Sequence, residues 1–95
     1  MNSWFKIVRP DWIVQNAFES VWLQNGGPVG AALFCKRNMR ERTNEFYLTP
    51  EAANLDPILI ARFGGIPCDP PDLSHPTLAG PFLISGDQSI IEGIG

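Results

Sequence analysis

The sequence predicts a small α+β domain with the element order β-α-β-β-α-β, in which a ferredoxin-like sheet is backed by two helices. Three observations support this prediction. An amphipathic helical stretch follows a short strand, two strand-like stretches flank a polar segment, and a second helical stretch precedes a last strand. The alternative is an α+β meander in which the last strand joins the hairpin or a proline-rich loop wraps the sheet.

Length and composition indicate one folded domain over residues 1–95. A chain of 95 residues buries roughly two-thirds of its unfolded surface, so it needs neither disulfides nor a metal to fold. Its 44% hydrophobic and 18% charged residues are typical of globular rather than disordered chains. No apolar run reaches the roughly 20 residues of a membrane span, and the N-terminus lacks the layout of a signal peptide. We therefore expect a cytoplasmic protein with no membrane partner.

The first two elements are a strand at Trp4–Val8 and a helix at Trp12–Gln24. Aromatic and β-branched residues favour the strand, and Pro10 ends it. Asp11 has the position and the side chain of a helix N-cap. The residues expected to face the core recur at helical spacing: Ile13, Val14, Ala17, Phe18, Val21 and Trp22. An Asn-Gly-Gly-Pro segment then ends the helix.

The next two strands are predicted at Val29–Cys35 and Glu45–Thr49, joined as a hairpin by the polar tip Lys36–Asn44. The tip has no Asn-Gly or Asp-Gly pair, so we expect a wide loop rather than a tight two-residue turn. Four of the seven basic residues of the chain lie in it: Lys36, Arg37, Arg40 and Arg42. The hairpin tip is therefore the main concentration of positive charge in the sequence.

The second helical stretch is divided by Pro57. Thr49 is expected to cap a short helix at Pro50–Leu55, which carries a proline at its first position. Because a proline removes an N–H donor and clashes with the preceding turn, Asp56 is expected to cap a separate piece at Ile58–Phe63. Two glycines then close this piece.

The last third of the chain is rich in proline. Segment 66–81 holds five of the nine prolines, so we predict an extended surface loop with polyproline character. The last strand is predicted at Phe82–Ser85. Residues 88–95 are predicted to form a short helical turn or a flexible tail.

The charges are divided unevenly along the chain. Up to Tyr47 there are six basic and four acidic residues, and from Leu48 onward there is one basic residue against six acidic ones. The resulting net charge of -3 disfavours general nucleic-acid binding. The asymmetry suits oriented docking on a charged partner, although the solvated faces of ordinary domains also produce it.

Few residues have the chemistry of a catalytic or metal site. Cys35 and Cys68 form neither a CxxC pair nor a spacing typical of zinc, so we expect two reduced thiols. Cys68 shares a predicted loop with His75, which makes a thiol nucleophile with a histidine base one hypothesis. Asp69 and Asp72 are close enough in sequence to orient the imidazole, but their negative charge disfavours a thiolate. The sequence predicts no catalytic residues, no metal and no cofactor.

The predicted function is a non-enzymatic interaction module of the inhibitor, immunity or regulatory kind, which docks its basic hairpin tip on an acidic protein partner. Trp12 and Leu23 lie off the core-facing stripe of the helix, so either flanking structure covers them or they are exposed anchors for the partner. The predicted partner-binding residues are Lys36, Arg37, Arg40, Arg42, Tyr47, Trp12 and Leu23.

Two alternative functions remain open on the sequence. The first is nucleic-acid binding by the same hairpin, although Glu41 and Glu45 dilute its positive charge. The second is a thiol enzyme centred on Cys68 and His75. A homodimer formed through sheet edges is also compatible with the sequence, which does not indicate which edge is free.

Overall fold

Residues 3–85, which the computed structural model of the chain describes, form a five-stranded antiparallel sheet with three short helices. The elements are β1 Trp4–Pro10, α1 Gln15–Gln24, β2 Ala32–Asn38, β3 Thr43–Leu48, α2 Pro50–Leu55, α3 Pro57–Arg62, β4 Ile66–Cys68 and β5 Leu78–Leu83. The strand order across the sheet is β4-β1-β3-β2-β5. The prediction of a small α+β domain is confirmed.

Strand β3 lies at the centre of the sheet and pairs with both β1 and β2. Because side chains alternate along a strand, the residues in register with one another share a face. The buried face is built from Phe5, Ile7, Leu33, Phe46 and Leu48. The other side, which we call the open face, has no buried residue among Trp4, Lys6, Val8, Phe34, Lys36, Glu45, Tyr47, Ile66 and Leu83.

The helices pack on the buried face of the sheet. Phe18 of α1 stacks on Phe46 of β3, with 4.3 Å between the ring centroids. Trp22, one turn further along α1, is fully buried, and its indole Nε1 donates a hydrogen bond of 3.0 Å to the carbonyl oxygen of Pro28. Leu59 of α3 joins the same apolar cluster. The aromatic rings of α1 therefore fix this helix against the central strand.

The predicted division of the second helical stretch at Pro57 is confirmed. The hydroxyl of Thr49 accepts a hydrogen bond of 3.2 Å from the backbone N–H of Ala52, and the carboxylate of Asp56 accepts one of 3.0 Å from that of Leu59. Each short helix thus begins with a side-chain cap followed by a proline, as the sequence indicates.

The first helix begins three residues later than predicted, and Asp11 is not its N-cap. Val14 occupies that position without a side-chain hydrogen bond, and α1 starts at Gln15. The preceding segment forms a turn instead, in which the N–H of Ile13 donates to the carbonyl of Pro10 at 2.9 Å. The side of the helix that faces the core also differs from the predicted stripe. Val14 and Val21 are exposed, whereas Glu19 is buried beside Phe18 and Trp22.

The hairpin strands are longer than predicted at the tip and the turn is shorter. The ladder between β2 and β3 continues through the pairs Lys36 with Glu45, Arg37 with Asn44 and Asn38 with Thr43. Only residues 39–42 remain in the turn, rather than the nine residues of the predicted tip. Strand pairing therefore takes in polar residues that the sequence pattern assigns to a loop.

The proline-rich segment 66–81 is not a continuous loop, because it contains β4 and the beginning of β5. Strand β4 pairs with β1 at one edge of the sheet, and β5 pairs with β2 at the other. The predicted last strand thus joins the hairpin, as in the alternative topology. The observed element order has one strand and one helix more than β-α-β-β-α-β. The predicted tail at 88–95 lies outside the described residues.

The helices of residues 3–85 are short, and the longest, α1, has 10 residues. None of them has the length and apolarity required to cross a bilayer.

A pair of phenylalanine substitutions tests which side of the sheet is the core. Phe46→Ala removes a fully buried ring that stacks on Phe18, and we expect it to lower the free energy of unfolding by about 3–5 kcal/mol. Phe34→Ala, on the open face of the adjacent strand, is expected to cost about 1 kcal/mol or less. Urea denaturation measures both, and equal losses would show that the faces are assigned wrongly.

Candidate interaction surface at the hairpin end

The hairpin end of the molecule is formed by the β2–β3 turn and by the turn that precedes α1. The N–H of Asp11 donates a hydrogen bond of 3.1 Å to the carbonyl of Arg42. The side-chain amide of Asn44 donates to the carbonyl of Ile13 at 2.9 Å and to that of Asp11 at 3.3 Å. Asn44 is buried, so these hydrogen bonds are largely shielded from water. They hold the two turns side by side.

Two large apolar side chains are exposed at this end. Trp12 and Met39 are each 74% exposed. Trp12 lies between Asp11 and Ile13, which are both hydrogen-bonded to the end of the hairpin. Met39 is the first residue of the β2–β3 turn. Exposed apolar side chains mark interaction sites where they cluster, and the hydrogen bonds between the two turns bring Trp12 and Met39 to the same end of the molecule. We therefore take these two residues as the apolar part of a candidate interaction surface.

Three arginines accompany these side chains. Arg37, Arg40 and Arg42 are all exposed, and Arg37 forms an ion pair of 3.4 Å with the carboxylate of Asp11. An open cleft of about 380 Å³ is lined by Asp11, Arg37, Met39 and Arg42. We call Trp12, Arg37, Met39, Arg40 and Arg42 the hairpin-end surface.

A second open cleft, of about 440 Å³, lies on the β5 side of the hairpin. It is lined by residues 36–41 together with His75 and Thr77. The Nδ1 atom of His75 is 2.8 Å from the hydroxyl oxygen of Thr77, which fixes the ring within its own loop. The segment before β5 therefore adds polar groups to the side of the hairpin-end surface.

Four of the seven predicted partner-binding residues lie in or beside the two turns at the hairpin end, namely Trp12, Arg37, Arg40 and Arg42. Lys36 lies on the open face, because neighbouring residues of a strand point to opposite sides. Tyr47 is also on the open face, and Leu23 is partly buried against the core. Of the two residues expected as either covered or anchoring, Leu23 is covered and Trp12 is exposed.

Tyr47 is fixed by an intramolecular hydrogen bond. Its hydroxyl donates to the carboxylate of Glu45 at 2.7 Å. The pKa of Tyr47 is raised, mainly by partial burial and to a smaller extent by this hydrogen bond and by the negative charge of Glu45. The phenol therefore remains a proton donor throughout the physiological pH range.

Two contributors to the surface were not identified from the sequence. Met39 lies in the predicted tip, but the charge pattern of the tip indicates only its basic neighbours as binding residues. Asn44 organises the surface through contacts with residues more than 30 positions earlier, and its type and neighbours in the sequence do not reveal such contacts. Its position between a polar turn and an apolar strand is the local feature that the sequence does show.

The structure does not bring Cys68 and His75 together. Cys68 ends β4 at one edge of the sheet, while His75 precedes β5 at the other edge. Four strand spacings separate these edges, about 19 Å in total. Asp72, one of the two expected orienting groups, accepts hydrogen bonds from the hydroxyl and N–H of Ser74, which lower the pKa of its carboxyl group. The thiol-enzyme hypothesis therefore has no histidine base beside its nucleophile.

Neither cysteine has the environment of a reactive thiol. Both are free, and they lie on different strands that are not neighbours in the sheet. Burial raises the pKa of Cys35 and of Cys68, and for Cys68 it outweighs the opposing effect of Lys6. Within residues 3–85 no group of three His, Cys, Asp or Glu side chains is placed to hold a metal ion.

Comparisons with protein-family models, with curated proteins and with solved structures find no significant match.

The thiol environments predict slow alkylation at neutral pH. A raised pKa means that less thiolate is present at a given pH, so iodoacetamide should label both cysteines more slowly at pH 7 than in the urea-unfolded chain. The rates should continue to increase above the ordinary thiol pKa of about 8.5, because the pKa of each thiol in the folded protein is higher. Mass spectrometry of wild type and Cys68→Ser assigns each rate, and faster labelling of Cys68 in the folded protein would contradict this account.

Proposed function

We propose that the protein is a non-enzymatic interaction module that docks its hairpin-end surface on an acidic region of a partner protein. The observation that carries this proposal is the exposure of Trp12 and Met39, each 74% exposed, at the same end of the molecule as three exposed arginines. Tryptophan, methionine and arginine are enriched in protein interfaces, and tryptophan and arginine contribute much of the binding energy there.

The arginines are suited to carboxylate partners. A guanidinium group is planar and always charged, and it donates two parallel hydrogen bonds to one carboxylate. Among residues 3–85 neither Arg40 nor Arg42 forms an ion pair, whereas Arg37 is already paired with Asp11. We therefore assign the carboxylates of the partner mainly to Arg40 and Arg42, and the apolar contact to Trp12 and Met39.

Protein is favoured over nucleic acid by the mixture of charges at the surface. Asp11 and Glu41 accompany the arginines, and the chain as a whole is acidic. A phosphate backbone requires a continuous run of positive groups, and each acidic group in that run repels it. A protein partner with paired acidic and apolar residues tolerates this mixture.

We also infer that the sheet is a ferredoxin-like arrangement with one added strand. In its support, β1 and β2 are both antiparallel to β3, which separates them, so β1-α1-β2 is a split β-α-β unit. Strand β4 takes the place of the last strand beside β1, and β5 extends the opposite edge. This inference concerns the architecture alone, because a fold of this kind does not specify a function.

Charge reversal at a single exposed arginine tests the proposed docking. Arg40→Glu is expected to weaken partner binding about tenfold, because it replaces an attraction for carboxylate with a repulsion. Arg62→Glu changes the net charge equally at an exposed residue of α3 and is the matched control. The proteins captured by wild type should be acidic, should be captured equally well by Arg62→Glu, and should be lost with Arg40→Glu.

The material captured by wild type also separates the two candidate partner classes. Nuclease treatment before capture should leave the partner bound, and isothermal titration with the identified protein then gives the affinity of each variant. Binding that nuclease abolishes, or that Arg62→Glu weakens as much as Arg40→Glu, would overturn the proposal.

A further inference from the structure

The open face of the sheet has the composition of an interface. In an antiparallel sheet with one face in water, the outward residues are usually polar. Here the outward positions include the aromatic residues Trp4, Phe34 and Tyr47, and the rings of Trp4 and Phe34 lie 5.7 Å apart. At the two rims, Ile66 is 59% exposed and Leu83 is 66% exposed. The described residues place no helix over this face.

The open face carries two lysines and one carboxylate. Lys36 and Glu45 are direct cross-strand neighbours, and Lys6 lies beside Tyr47, whose hydroxyl binds Glu45. The side-chain amide of Asn38 donates to the same carboxylate at 3.4 Å. The carboxylate thus accepts hydrogen bonds from two neighbouring side chains, which lowers the cost of covering it.

The sheet is poorly suited to grow at its edges. Strand β4 has only three residues, one of which is Pro67, and β5 contains Pro81. A proline has no N–H to offer to an added strand, and short or proline-containing edge strands resist pairing with another chain. Two copies are therefore expected to associate through the open face rather than by pairing their edge strands.

We propose that a second copy of this chain covers the open face, giving a dimer in which two sheets pack face to face. The strands contain 29 residues, which at about 3.3 Å per residue and a strand spacing of about 4.8 Å give a face of about 460 Å² on each copy, about 900 Å² in total. This area is that of a weak or transient protein interface. The dimer is therefore expected to be in equilibrium with the monomer rather than permanent.

A second copy fits this face better than a single-stranded nucleic acid. Aromatic rings and two lysines are features that bases and phosphates bind, but Glu45 lies between Lys6 and Lys36 and interrupts the positive charge. A two-fold pairing of identical faces, by contrast, brings apolar rings to apolar rings and places the Glu45 carboxylate of each copy among the lysines of the other. The aromatic composition of the face and its interrupted positive charge favour the dimer.

The dimer proposal is independent of the proposed docking function. The hairpin-end surface lies beyond the end of the sheet, so the dimer leaves it exposed on both copies. If both proposals hold, the dimer presents two docking surfaces to its partners and increases their apparent affinity through bivalence.

Two isoleucine substitutions provide a matched test. Ile66→Lys places a charge on the rim of the open face, and Ile58→Lys makes the same change at a residue of α3 that is 74% exposed. Sedimentation velocity of wild type from about 1 to 200 µM, the range in which small interfaces associate, should show the mass increase from 10.5 kDa towards twice that value. Ile58→Lys should behave as wild type, and Ile66→Lys should associate at least tenfold more weakly.

Leu83→Lys, at the opposite rim, should have the same effect as Ile66→Lys, and thermal unfolding confirms that each variant is folded. Wild type that remains at 10.5 kDa throughout, or an equal effect of Ile58→Lys, would overturn the dimer. Co-sedimentation of wild type with single-stranded RNA without self-association would assign the face to nucleic acid instead. Arg40→Glu should leave the dimer unchanged, so failure of the docking proposal is distinguishable from failure of this one.

Discussion

The strict alternation of side chains along β3 is the constraint on which the rest of the molecule depends. This strand pairs on both sides, and its inward residues Asn44, Phe46 and Leu48 are all buried. Phe46 receives the stacked ring of Phe18 and so positions α1, while Asn44 binds the turn that precedes α1. A shift of one residue in the register of β3 would expose the core and release Trp12 from the hairpin end at the same time.

Asn44 links the core to the candidate interaction surface. A buried amide that lacks its partners costs about 1–3 kcal/mol, so the pairing of Asn44 with the carbonyls of Asp11 and Ile13 is strongly preferred to leaving it unpaired. The same two hydrogen bonds hold Trp12 on rigid backbone rather than on a free loop. A partner that binds Trp12 therefore contacts a residue on preordered backbone, so less backbone entropy is lost on association.

The parts of the fold with local signals were predictable from the sequence, and the parts that depend on distant contacts were not. Thr49 and Asp56 were identified as caps because the proline after each fixes the start of a helix. Asp11 looks equally like a cap, but Asn44 and Arg42 draw its backbone to the end of the sheet. The sequence does not predict strand β4, because its prolines favour a loop and no local pattern indicates that Ile66 pairs with Lys6. The sequence shows the basic residues of the hairpin through their charge alone. That Trp12 lies at the same end of the molecule depends on the tertiary structure.

The central claim is that the hairpin end is the surface that binds a protein partner, and site-specific photo-crosslinking tests it most directly. A photoreactive amino acid is placed at Met39 in one variant and at Ile58 in another, since both positions are 74% exposed and lie on different parts of the molecule. We expect the photoreactive residue at position 39 to crosslink an acidic protein and the one at position 58 not to do so. Arg40→Glu should remove the crosslink from position 39. Equal crosslinking from both positions, or a crosslink from position 39 to nucleic acid, would contradict it.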